Sequence, residues 1–300
     1  MEQVSEKLRA VLDFAPDTTI SKTRRLPVAG EVLVSEGDVI TAEAIVARAE
    51  VPGYPVDVNV AFRLGIEAPD TSRYMLKSVG ENVAEGEPLA RRKILLGLSE
   101  ELVVSPVSAT IESISNLNGV VILRTPPVPV DIQAYVPGIV TKVMPAEGCV
   151  VEARGAMVQG LFGVGGETAG AIRIAVESRS DELKAEQIVW DMKGKILVAG
   201  SGMSKNALLR ARDAGVRGVI LGSIDDKELA SFLGTEIGLA ITGQEQTGLT
   251  VVVTEGFGDM PMSERIFALL KKHEGQVASL NGTTHIRAES VRPEIFVAKQ

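Results

Sequence analysis

The sequence predicts an α+β, multidomain chain, with an all-β N-terminal part built of short curved strands followed by a small α/β domain with a mostly parallel sheet. Three observations predict it. Residues 26–174 are short Val/Ile/Leu runs broken at close intervals by Gly, Pro, Asn and Asp. Within them one turn phrase recurs. Beyond residue 195 the texture changes to apolar strand-length runs alternating with helix-length amphipathic ones. A length of 300 residues is more than one core usually holds.

Residues 1–25 form the lead-in. Val4, Leu8, Val11 and Leu12 fall on one helical face, and Pro16 ends the pattern. Residues 26–177 form the β-rich region, either one piece or two modules, 26–125 and 126–177. Its recurring phrase reads Gly30…Gly37-Asp38, Gly80…Gly86-Glu87 and Gly138…Gly148, each a turn glycine beside alternating apolar residues. Such a glycine supplies positive φ while the flanking valines bury one face of a strand, so β-hammerhead units are expected. The stretch 161–170 holds Gly163, Gly165, Gly166 and Gly170 between two strands. It fits either an anion-binding nest or a turn packed closely on a neighbouring strand, with Glu167 the residue a function would use. Cys149, in a strand context, is expected to be buried.

Residues 178–300 form the α/β domain. Its polar lead-in, 178–187, is expected to be a connecting helix or a linker, with Trp190 as an anchor for the domain that follows. Strands are expected at 195–199, 217–221, 239–242 and 249–253, and helices at 204–213, 225–233 and 262–273. Gly215 and Gly234 would end the first two helices, and Pro261 would open the third. A tail at 276–280, 283–288 and 294–298 returns to strand.

The residues Gly80-Glu-Asn-Val-Ala-Glu-Gly86-Glu-Pro-Leu89 and Val104-Ser-Pro106-Val-Ser-Ala-Thr-Ile-Glu-Ser-Ile114 resemble the two half-motifs of the biotinyl/lipoyl-type barrel-sandwich hybrid family, which includes the soluble subunit of Rnf-type electron-transport complexes. The resemblance covers residues 26–125 and implies a lipoyl-like fold there. Carrier members of that family place a modified lysine at a hairpin tip between the half-motifs. Here Lys93 follows Arg91 and Arg92 and lacks the Met or Asp neighbours of such a site, so no biotin or lipoyl attachment is expected. The cysteine-rich segment of the Rnf subunit is also absent from the sequence, which holds one cysteine.

Composition narrows the chemistry. One cysteine and two histidines, His273 and His285, provide no Cys/His metal cluster, and no cofactor is expected. A net charge of −8, with basic clusters no longer than Lys22/Arg24/Arg25 and Arg91/Arg92/Lys93, makes nucleic acid an unexpected partner and those clusters solvated surface. No run approaches a membrane span and residues 1–14 contain no apolar signal region, so a cytoplasmic protein without membrane insertion is expected.

In open α/β sheets ligands sit beyond the carboxyl ends of the strands, and three loops lie there. Gly200, Ser201, Gly202, Ser204 and Lys205 open a helix with N–H groups, a cap and a dipole suited to a small anionic ligand. Ser223, Asp225 and Asp226 form the second loop, and Glu255, Gly256 and Asp259 the third. No metal site is expected, although Asp225, Asp226 and Glu255 are the right ligand type for Mg²⁺. No nucleotide fingerprint or catalytic triad motif is present. The sequence names no reaction and leans away from an enzyme. A non-catalytic adaptor or assembly protein with a protein partner is the first expectation, and a small-molecule or phosphate-ligand-binding protein or enzyme using the three loops is the second. A third reading comes from 136–155, which resembles small β-barrels of transcription and translation factors.

Overall fold

The structure, a computed structural model, describes residues 14–94, 99–234, 247–284 and 292–299. The strands and helices, in order, are β1 Phe14–Arg25, β2 Glu31–Val32, β3 Val39–Ile40, β4 Ile45–Val51, β5 Pro55–Asn59, α1 Val60–Leu64, α2 Thr71–Tyr74, β6 Asn82–Val83, β7 Pro88–Ile94, β8 Ser99–Val104, β9 Ala109–Ile114 and β10 Val120–Arg124. They continue with β11 Val128–Gln133, β12 Gly138–Met144, β13 Gly148–Gln159, β14 Phe162–Val164, β15 Glu167–Ile174, β16 Ile196–Val198, α3 Lys205–Asp213, β17 Gly218–Ile224, α4 Asp226–Leu233, β18 Thr250–Phe257, α5 Glu264–Lys272, β19 Val277–Asn281 and β20 Glu294–Ala298. The protein is β-rich, as its sequence predicts. The expected N-terminal helix, the strand at 239–242, His285 and most of the strand at 283–288 lie outside the described residues.

The chain divides into two compact units. The smaller is Leu26–Glu31 with Arg48–Asp131, and the larger is Met1–Arg25, Val32–Ala47 and Ile132–Gln300. The sequence predicts a division at 177/178, whereas the chain leaves the larger unit after Arg25, returns within β2, leaves again within β4 and returns within β11.

The smaller unit holds a four-stranded sheet in the order β5-β10-β9-β6 and the β7-β8 hairpin. Alternation along the strands sets its core: Val121 and Leu123 of β10 and Ile111 of β9 are fully buried with Val58, Leu64 and Leu89. Lys93 lies within β7, paired with Glu100, and not at a hairpin tip.

In the larger unit one sheet runs β14-β18-β17-β16-β15-β19-β20-β13-β12-β3, with β1 along the other edge of β13. Pairing is parallel from β15 through β18 and antiparallel elsewhere. Every residue of β17 is buried, as a strand covered on both faces requires. Strands β13 and β15 share this sheet with β16 to β20, so hydrogen bonding runs through the expected boundary. Cys149 is buried in β13, and burial pushes its thiol pKa up.

Several local expectations are corrected. Residues 178–187 contain only the 3₁₀ turn Ala185–Gln187, because the Asp181 carboxylate accepts the Ser178 N–H and closes a turn instead of a helix. Trp190 is 65% exposed with the Arg210 guanidinium 5.0 Å from its ring, so it does not anchor a core. The helix after Pro261 begins at Glu264. Met262 N–H donates to the Arg179 carbonyl and Ser263 N–H to the Glu255 carboxylate, which holds the preceding backbone extended. The glycine-rich stretch forms β14 and a turn, and a side chain at Gly163 would collide with the Gly282 and Val251 carbonyl oxygens. Close packing on neighbouring strands therefore explains that glycine, in place of a nest.

Candidate functional site

The three loops expected to hold a ligand do meet. Ser201, Gly202, Ser204, Ser223, Asp225 and Asp259 line one cleft of about 260 Å³ together with Glu182, Met203, Ile224, Glu228 and Gly258. Gly200, Lys205, Asp226, Glu255 and Gly256 do not line it. β17 and β18 continue past Leu221 through a register shift to pair Ser223 with Gly256 and Ile224 with Phe257, so Glu255 and Gly256 are strand residues where a loop is expected.

Several of the donors that would bind an anion are already used. Ser204 Oγ accepts the Ala207 N–H at 3.4 Å, and the Lys205 N–H donates to the Glu228 carboxylate. Asp225 Oδ1 accepts the N–H groups of Lys227 at 2.9 Å and Glu228 at 3.2 Å. Glu255 accepts the Ser263 N–H at 3.0 Å, just ahead of α5. The Ser223 hydroxyl, buried, accepts the Met260 N–H at 2.7 Å and lies 3.2 Å from the Ser201 carbonyl, which makes it a latch between loops. The wall carries Glu182, Asp225, Glu228 and Asp259 and no Lys or Arg side chain. Four carboxylates on the wall disfavour a phosphate there. Among the described residues no three Asp, Glu, His or Cys side chains gather as a metal-holding group.

A second constellation has no sequence mark. Tyr135, 4% exposed, sits at φ 70°, a left-handed conformation costly for a residue with a β-carbon. Its hydroxyl donates to Glu294 Oε1 at 2.9 Å, and Lys22 Nζ pairs with the same carboxylate at 2.6 Å. Arg24 makes a two-pronged ion pair with Glu167, 2.9 and 2.7 Å, and donates to the Gln133 carbonyl. Lys22 Nζ and the Arg24 guanidinium lie 5.8 and 5.6 Å from the Tyr135 ring. Burial first, then the Glu294 charge, hold the Tyr135 phenol well above the usual tyrosine range. Lys22 and Arg24 are thus half-buried ion-pair partners, not solvated surface; Arg25, 62% exposed at its side chain, remains at the surface with Glu147. Beside this group a cavity of about 140 Å³ is lined by Glu43, Gln133, Tyr135, Glu167 and Arg217. Arg217 is bonded to Glu43 at 2.7 Å and to the Ala169 carbonyl, so each charge has a partner and the cluster is a structural knot.

The smaller unit supplies a third feature. Leu117, at the tip of the β9-β10 hairpin, is 96% exposed, and Phe62 of α1 is 84% exposed. The hairpin tip is tied to the helices: Ala61 N–H donates to the Gly119 carbonyl at 3.1 Å, and the Asn116 side chain accepts from the Ser72 N–H and hydroxyl. Asn59 caps α1 by accepting the Phe62 N–H.

No family model, curated protein or solved structure matches the chain. Among the described residues no helix is long and apolar enough to cross a membrane.

Proposed function

We propose that the protein is a non-catalytic adaptor or assembly protein whose smaller unit, a lipoyl-like module without a carrier lysine, offers Phe62 and Leu117 to a protein partner. The observation that carries this function is the near-complete exposure of two large apolar side chains on segments held to one another by main-chain and side-chain hydrogen bonds. Apolar residues that are fixed before binding lose little entropy on association, which suits anchors seated in a partner's apolar pocket. The placement of Lys93 within β7 supports the reading that the module carries no prosthetic group. Parallel pairing from β15 to β18, with α3 and α4 between strands, supports reading the C-terminal part as an α/β layer that serves as scaffold.

The test is affinity chromatography from native cells with the whole chain and with Phe62→Asp and Leu117→Asp. A stoichiometric partner that binds the unchanged protein should bind each variant at least about tenfold more weakly once purified, as loss of a buried anchor costs about 2 kcal/mol or more. Equal binding by both variants would refute the surface.

The cleft of the three loops favours a second reading, a binding site for a small ligand. Its carboxylate wall selects an amine or a hydroxyl-rich molecule over a phosphate. A rise in melting temperature with such compounds, lost in Asp259→Asn and absent with phosphates, would establish it.

A further inference from the structure

Strand β1 is twelve residues long and pairs along one side only, with β13. Among the described residues no backbone group of β1 bonds to any other segment. Which of its groups are left over depends on β13. The Lys299 N–H donates to the Arg154 carbonyl, so the backbone of Arg154 faces away from β1. Thr19, the residue opposite Arg154, therefore also turns its N–H and C=O outward, and by alternation so do Ser21, Thr23 and Arg25. A substituent on Gly148 would strike the Arg24 carbonyl, which places Arg24, of the opposite parity, towards β13.

This edge lacks the usual guards. Free edges are commonly blunted by lysine, proline or bulges. Here Pro16 and the register shift near it protect only the first residues of the strand, and Lys22 and Arg24 are turned to the other face and held there by Glu294 and Glu167. The residues whose backbone faces outward, Thr19, Ser21 and Thr23, are small, uncharged and exposed. Threonine is also a strand former.

We propose that a second copy of this chain pairs antiparallel with β1 about a two-fold axis at Ser21, joining two sheets into one. Outward-facing residues must meet outward-facing residues, which restricts the pairing to registers that match odd positions with odd. Only the register centred on Ser21 sets the three small outward-facing residues of each copy, Thr19, Ser21 and Thr23, opposite those of the other. It also pairs Thr19 with Thr23 on both sides of the axis, and threonine pairs are favourable cross-strand neighbours. About six main-chain hydrogen bonds form across 19–23 in this arrangement. The symmetry is that of an isologous dimer, closed and unable to grow into a filament. The inference stands independently of the surface assigned to the smaller unit.

Sedimentation equilibrium of the whole chain over a wide concentration range tests it, beside Ser21→Pro. Because the Ser21 N–H faces away from β13, proline there removes no bond of the monomer but places a ring in the joint. A dimer for the unchanged chain and a monomer with unaltered circular dichroism for Ser21→Pro are expected. Ser21→Cys reads the register without depending on that variant: across the axis two residues of a hydrogen-bonded pair lie about 5.5 Å apart at Cα, within disulfide range. Ser21→Cys should give a covalent dimer on mild oxidation, and Thr19→Cys should not, because its neighbour is Thr23. A monomer at every concentration, a dimer that survives Ser21→Pro, or equal cross-linking through position 19 would each overturn the proposal.

Discussion

Residues 35–38, 78–81 and 84–87 form turns on one plan. The N–H of the first residue donates to the side-chain carboxylate of the fourth, Asp38, Glu81 or Glu87, while the fourth N–H returns to the first carbonyl. The glycine between them takes positive φ, 79° at Gly86, where nothing lies within reach of an added methyl. Gly86→Ala should therefore cost only the left-handed penalty, roughly 1–2 kcal/mol, as a shift in the denaturant midpoint at unchanged slope. The recurring phrase was legible because this plan needs an acid one place after a glycine. Its third occurrence, at Gly148, breaks the plan: that glycine lies where β13 presses on the Arg24 backbone. Glu87 adds a pH dependence. Its hydrogen bond from Lys77, then that from the Ala84 N–H, hold its carboxyl below the usual range. A lowered native pKa contributes stability that is present above the ordinary glutamate pKa and is lost as pH falls through the native value. Thermal melts of the parent and Glu87→Gln should accordingly differ at neutral pH and converge as pH falls through the native value of the Glu87 carboxyl. Tyr135, by contrast, could not be read from sequence. Nothing marks a tyrosine for positive φ, and the charges that enclose it come from Lys22, Arg24, Glu167 and Glu294, far apart along the chain.

At the level of elements, the first two helices after residue 200 were legible at their ends because caps are local, whereas the start of α5, without a side-chain cap, was not. Ser204 and Asp225 occupy N-cap positions, and Gly234 closes α4 at φ 73°. Strand ends were less legible, since β17 and β18 extend past the apolar run by pairing with each other, which no single segment records. The same caps decide what the cleft can bind. Asp225→Ala removes the acceptor of two N–H groups and should destabilise the protein by about 1 kcal/mol in chemical denaturation. It should also free those two donors and remove one carboxylate from the wall. If occupied donors and a carboxylate wall exclude phosphate from the cleft, the variant will gain phosphate-induced stabilisation that the parent lacks; equal responses would show that the caps do not control its selectivity.

At the scale of the whole molecule, the larger unit is interrupted twice along the chain, briefly by Leu26–Glu31 and at length by Arg48–Asp131. The smaller unit has a core of its own, whose buried members all lie between Val58 and Leu123. The chain around it closes a single sheet from strands on both sides of the longer interruption: β1 precedes it, β13 and β15 come after it, and β19 and β20 come last. Sequence texture changes near residue 178 because parallel, doubly covered strands need continuous apolar runs while the preceding strands alternate; it is a change of local environment and not of folding unit. Cutting there would strip β13 of β20 and β15 of both β16 and β19, exposing long unpaired edges in either fragment. Residues 1–177 and 178–300 made separately should be largely insoluble and lack a cooperative melt. A fragment of 48–131 keeps the core from Val58 to Leu123 and the β5-β10-β9-β6 sheet, so it should unfold as one transition monitored by circular dichroism. A cooperative melt from 178–300 instead would place the folding boundary where the sequence texture changes.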